Sequence, residues 1–423
     1  MRSGSSFSSA RLTLGLLTLM ATVQFFDRAL MVVIMEPIKT EFALTDAQLG
    51  VMAGLSYAAA FALAGIPLGW LADRTHRRNL LAGLLMVWSA MVALVGSANS
   101  FAMLIAARIG IGAMDAGGQP CSVSMIADLY PPQRRASAVA VFYVGVPLGM
   151  AAGFMAGGLL AAHWGWRAAL FIAAVPGMVL ALALLVWVRE PMRGASEGAA
   201  PIHEVTPALG ETLRYMWAQR SLMHLMAASV LVTAASSAMM SWIGSLLIRS
   251  HGLSLEEVGL MTAICMGGFG ALGTLVLGRV ADQVGARDMR AQPRLMAFGA
   301  LLIAVFGSVV CLASSVAVAA VALALFAACV AGLNGPTYAL TQTLVRLRMR
   351  GISMSVLLVL LNLIGVGVGP TLAGALSDVF AAQFGADSVR WAMVCVLGFC
   401  LPAVGLFWQC SRSILQDLER VGA

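Results

Sequence analysis

Residues 69–78 read Gly-Trp-Leu-Ala-Asp-Arg-Thr-His-Arg-Arg, and a weaker version, Gly-Arg-Val-Ala-Asp-Gln-Val-Gly-Ala-Arg, returns at residues 278–287. Their aspartates, Asp73 and Asp282, stand 209 residues apart in a chain of 423, so the second half reads as a repeat of the first. Each copy is a short charged turn between two long apolar runs. A repeat of that size, with charged loops and apolar flanks, points to two related bundles of membrane helices.

Composition agrees. Apolar and aromatic residues make up 60% of the chain and charged residues 11%, against about 25% charged in a soluble protein. This excludes a soluble enzyme. At about 20 residues per crossing, the apolar content supplies roughly a dozen helices. Apolar runs between polar punctuation predict twelve spans, near 12–35, 49–71, 79–98, 101–129, 136–161, 167–188, 222–248, 255–278, 294–313, 316–345, 351–376 and 390–410. The first run lacks a small-residue cleavage pattern and reads as a retained helix.

The longest connection divides the spans into an N-terminal bundle, 1–190, a cytoplasmic linker with a surface helix, 191–221, and a C-terminal bundle, 222–423. The formal charge of +7 has a topological cause. With the N-terminus inside, the inner segments hold Arg2, Arg11, Arg74, Arg77, Arg78, Arg134, Arg135, Arg189, Arg193, Arg214, Arg220, Arg279, Arg287, Arg290, Arg294, Arg346, Arg348, Arg350, Arg412 and Arg420. The outer loops hold only Lys39, Arg167, Arg249 and Arg390. That asymmetry sets both termini in the cytoplasm.

Other chemistries lack their residues. No basic stripe interleaved with aromatics suggests nucleic acid. The seven cysteines and five histidines form no ligand spacing, so neither a metal nor a cofactor is expected. No phosphate-binding Gly-x-x-x-x-Gly-Lys loop is present, which argues against ATP as the energy source, and no filter-like sequence argues for a channel.

Only Asp27, Arg28, Arg108 and Asp115 are ionisable residues well inside spans. An ion at mid-bilayer costs about 2.5–3.5 kcal/mol on insertion scales, so such groups face a cavity and act. Counted along their helices at 1.5 Å per residue, Asp27 lies about 22 Å and Asp115 about 21 Å from the cytoplasmic edge. The two acids share one depth. Arg108 and Asp115, two turns apart, share a face. These four are the expected proton-coupling residues, with the arginines holding or releasing the acids; a static network that only fixes packing is the bland alternative.

The second half holds no deep charge. Its expected cavity-lining residues are neutral: Ser241, Trp242, Asn334, Thr337, Tyr338, Gln342 and Asn362, joined from the first half by Phe26, Tyr57, Phe61, Phe142 and Tyr143. Along span five, Gly145, Gly149, Gly153 and Gly157 form a strip that admits another helix closely.

The Gly-x-x-x-Asp-Arg-x-x-Arg-Arg loop resembles the signature loop of the major facilitator superfamily, with His76 standing where that pattern usually has Gly. Within it, four segments resemble the Spinster family: Phe26-Asp27-Arg28; Arg108 through Gly112, Asp115-Ala116-Gly117 and Pro120; Arg189-Glu190-Pro191-x-Arg193-Gly194; and Asn362 through Gly365, Gly367, Gly369-Pro370, Gly374 and Ser377-Asp378. Asp115 stands where Spinster-like proteins usually carry Glu. The resemblance implies an all-α membrane fold of twelve helices in two pseudo-symmetric six-helix bundles. It further implies a proton-coupled secondary transporter for an amphiphile such as a lysolipid or sphingoid-like molecule. Organic anion:proton symporters share the Asp-Arg and fourth-span acid and give the alternative substrate, a carboxylated small molecule. A non-transporting membrane receptor is the alternative of a different class. By the same resemblance Gly69, Asp73, Arg74, Arg77 and Arg78, with Asp128 and Arg134, form a cytoplasmic latch. The expected partners are substrate, protons and membrane lipids around a monomer, in a bacterial inner membrane.

Overall fold

The computed structural model describes residues 3–192 and 209–422, all helical apart from short connections. In chain order these are α1 (Ser3–Phe42), α2 (Asp46–Gly50), α3 (Ser56–Arg74), α4 (Arg77–Gly96), α5 (Phe101–Leu129), α6 (Pro132–Trp187), α7 (Leu209–Ala218) and α8 (Arg220–His251). They continue as α9 (Leu255–Thr262), α10 (Phe269–Arg287), α11 (Ala291–Leu312), α12 (Val316–Thr343), α13 (Arg350–Leu360), α14 (Gly367–Phe384), α15 (Ser388–Leu397) and α16 (Cys400–Gly422). Three π-helical turns, Val51–Leu55, Ala263–Gly268 and Leu361–Val366, join α2 to α3, α9 to α10 and α13 to α14.

Ten stretches among the described residues are long and apolar enough to cross a membrane. Two of them are double length. Helix α6 has 56 residues, about 84 Å at 1.5 Å per residue, and it breaks at Gly165, whose φ of +80° suits glycine. The stretch Leu347–Arg420, 74 residues, turns at Gly385, φ +56°. Counting each as two crossings gives room for twelve. Large aliphatics such as Leu63, Ile66 and Val186 stand exposed on helix sides, as hydrocarbon rather than water would require.

Contacts divide the chain into two compact units. Unit 1 is Met1–Leu44, Ser56–Ile202 and Ser254–Ala263; unit 2 is Thr45–Leu55, His203–Leu253 and Ile264–Ala423. Unit 1 is built on the pairs α1 with α6 and α3 with α5. The glycine strip explains the first: a methyl added at Gly149 or Gly153 would strike the carbonyl of Thr22 or Phe26 on α1. Unit 2 packs α8 against α14 and α16, and α10 against α12.

Candidate functional site

The four membrane ions meet in unit 1, on α1 and α5, but their pairing crosses the helices. Arg28 Nη2 on α1 lies 3.0 Å from Asp115 Oδ2 on α5. Arg108 Nη1 on α5 lies 4.0 Å from Asp27 Oδ2 on α1. Neighbours in sequence therefore serve opposite partners, because consecutive helical side chains diverge by about 100°. The shared face of Arg108 and Asp115 does not make them a pair.

A fifth residue organises the cluster. Tyr57, expected on the substrate wall, is buried from the top of α3 among the ions. Its hydroxyl donates to Asp115 Oδ2 at 2.8 Å and accepts from Arg28 Nη2. Its ring centroid lies 4.9 Å from the Arg28 guanidinium and 5.4 Å from that of Arg108. The backbone admits it this deeply because position 112 on α5 is glycine; a methyl there would strike the Tyr57 carbonyl. On the other side, Gly153 seats α6 on the Phe26 backbone, which fixes the residue before Asp27.

The two acids are held unequally. Asp115 takes hydrogen bonds on Oδ2 from an arginine and a phenol. Asp27 is only 1% exposed and its arginine is at the limit of an ion pair, while the Oδ1 atoms of both acids have no hydrogen-bond partner among the described residues. Arg28 is the accessible member: its side chain is 28% exposed and its guanidinium also lies over the Phe25 ring, 4.7 Å from the centroid.

The neutral candidates divide. Phe142, Thr337 and Trp242 are buried in packing positions. Thr337 donates to the Leu333 carbonyl and Trp242 Nε1 to the Pro370 carbonyl. Phe26, Phe61, Ser241, Tyr338 and Asn362 are half-buried, and Asn334, Gln342 and Tyr143 are exposed. The Asn362 amide donates to the Leu358 carbonyl across the π turn.

At the cytoplasmic end of unit 1, Arg77 is buried and central. It reaches Asp128 at 2.5 Å, Glu190 at 3.0 Å, the Ser124 hydroxyl at 2.8 Å and the Pro191 carbonyl at 3.0 Å. Arg78 donates its backbone N–H to Glu190 Oε2 and a guanidinium N–H to the Val188 carbonyl. Gly69 lies within the last turns of α3, which ends with Arg74 exposed over the Trp70 ring, and Arg134 is exposed too. The Asp73 side chain lies outside the described residues, as do Arg193 and Gly194. Glu190 is the member of this network that the loop pattern alone misses; the signal was its place in the Glu190-Pro191 segment.

Comparisons fit this geometry. The sequence model described as Major Facilitator Superfamily matches residues 17–366. A major facilitator efflux pump of Mycolicibacterium smegmatis is 31% identical over 96% of this chain and 93% of its own length. A sphingosine-1-phosphate transporter of Danio rerio is 24% identical over 69% of this chain and 60% of its own. A crystal structure of a bacterial homologue of the human lysosomal transporter Spinster, inward-facing and unoccupied, superposes with a TM-score of 0.88 at 26% identity. It covers 97% of this chain and 98% of its own.

Proposed function

Because the chain belongs to the Major Facilitator Superfamily, a family of multi-pass membrane transporters rather than enzymes, we propose that it is a Spinster-like, proton-coupled secondary transporter working by alternating access. The observation that carries the coupling is the unequal grip on the two acids. Asp115 is gripped on one oxygen by an arginine and a phenol, whereas the arginine that faces Asp27 stands 4.0 Å away. Asp27 is the proton carrier in this reading. Its protonation frees Arg108, while Arg28 and Tyr57 go on holding Asp115. Uptake of a proton by one of two acids at one depth is a way to tie proton movement to a change of access.

The substrate in this reading is an amphiphile, lysolipid or sphingoid-like, bearing an anionic head. Arg28, part-exposed beside Phe25 and Tyr57, offers the head a cation framed by aromatics. The relatives named as a sphingosine-1-phosphate transporter and a Spinster homologue support this choice. The protein would sit in the bacterial inner membrane as a monomer, both termini inside, with bundles 1–190 and 222–423 joined by 191–221.

A thermal-shift screen of the purified protein tests the substrate class. Lysolipids and sphingoid phosphates should raise Tm, while aromatic and sugar acids should not. A shift with the acids alone would overturn the amphiphile reading in favour of an organic anion:proton symporter.

A further inference from the structure

The Ser377-Asp378 pair ends the glycine-rich pattern of α14 and has no part in the proton site. In unit 2 both side chains meet the start of α2. Asp378 accepts the backbone N–H groups of Asp46 and Ala47 at 2.9 and 2.8 Å. The Asp46 carboxylate receives Ser377 Oγ at 2.6 Å and both terminal nitrogens of Arg249, from the last turn of α8, at 2.8 and 2.9 Å. Ser388 Oγ lies 2.9 Å behind Ser377. Asp46 is 3% exposed and Ser377 1%. Glycines bring the backbones together here: an added methyl at Gly50 would lie 2.6 Å from the Pro370 carbonyl, and one at Gly374 would strike the carbonyl of Asp46.

A buried, bidentate arginine–carboxylate pair is a poor source of plain stability, since well-packed apolar side chains hold as well without desolvating two charges. What it offers is an all-or-none contact: the fork either closes on the carboxylate or it does not. Its place in the chain gives that property a use. Residues Thr45–Leu55 pack in unit 2, while Ser56 onward packs in unit 1, and the change falls at the end of the π-helical turn Val51–Leu55. Such turns mark sites where a helix bends for function. The charge pattern sets Arg249 on the outer side.

We propose that Asp46, Arg249, Ser377 and Asp378 form a clasp that holds the tip of the second span against α8 and α14. Its release, with bending at Val51–Leu55, accompanies opening of the outer face. This rests on the alternating-access reading and gives it an outer counterpart to the Arg77 network.

The test is labelling, which needs no substrate. The full-length protein carrying Ala373→Cys, at a position now 1% exposed, and Cys395→Ser is reconstituted and exposed to a membrane-impermeant maleimide from outside. Mass spectrometry follows position 373 and native Cys121, buried in unit 1, as an internal control. Asp46→Asn and Arg249→Gln should each speed labelling at 373 about tenfold or more, the shift expected when a buried pair loses one member. Ser377→Ala, which keeps the charge pair and folds more safely, should give a smaller rise in the same direction. Unchanged labelling in all three variants would overturn the clasp. So would an equal rise at Cys121, which would mean general loosening. A failure of substrate transport with the labelling result intact would count against the transport reading alone.

Discussion

Tyr57 is the residue on which the proposed proton site turns. It carries no charge, yet its ring lies 4.9 and 5.4 Å from two guanidiniums and its hydroxyl ties Arg28 to Asp115. Removing a hydrogen bond to a charged group costs about 1.5–3 kcal/mol. Tyr57→Phe keeps the ring and removes the hydroxyl that joins Arg28 to Asp115. The Tm of the purified protein should therefore fall by an amount that matches this cost, with the fold retained; an unchanged Tm would deny the hydroxyl this role. The four ions themselves were legible from sequence, because charge in an apolar run has few explanations. Their partners were not. Spacing along one helix says which residues share a face, while the cross-pairing of Asp27 with Arg108 depends on how α1 and α5 meet. Tyr57 was hidden for the same reason: it reads as an aromatic wall until Gly112 is seen to let α3 come close.

At the scale of elements, glycines decide which helices touch. The strip from Gly145 to Gly157 announced a close approach, but only the fold names α1 as the partner. Gly153→Leu should consequently disturb the Phe26–Arg28 segment and abolish transport, while Gly65→Leu, where an added side chain meets open space, should leave it near wild type; transport assays at matched expression compare them. The cytoplasmic network is a second element-level device. Arg77 gathers Asp128 from α5 and Glu190 from beyond α6, so it braces three helices at once. Arg77→Ala leaves two carboxylates without their cation and should cost about 3–5 kcal/mol, read as a fall in Tm of the purified protein; a Tm unchanged within error would show the network to be ornamental. The loop pattern made Arg77 and Asp128 readable, whereas Glu190 lies 113 residues from Arg77 and could be paired with it only in space.

On the scale of the whole molecule, one repeat governs what sequence could and could not convey. The paired loops at Asp73 and Asp282 disclose the duplication, and the charge asymmetry sets its orientation. Neither discloses that the tips of spans two and eight, Thr45–Leu55 and Ser254–Ala263, pack in the unit opposite to the helices they continue. That exchange arises from close backbone contacts, at Gly50 with Pro370 in unit 2 and at Gly259 with Phe154 in unit 1, which no periodicity marks. A π-helical turn lies at each exchange, and only the first half carries the deep charges. In the proposed account, a molecule so built moves protons through one bundle while both change access. The most direct test is proton movement in liposomes under an imposed gradient of whichever amphiphile stabilises the protein. Wild-type protein should couple substrate flow to a measurable pH change inside the vesicles. Asp27→Asn should exchange substrate across the membrane but move no protons with it, whereas substrate-driven proton flux in Asp27→Asn equal to wild type would contradict the account.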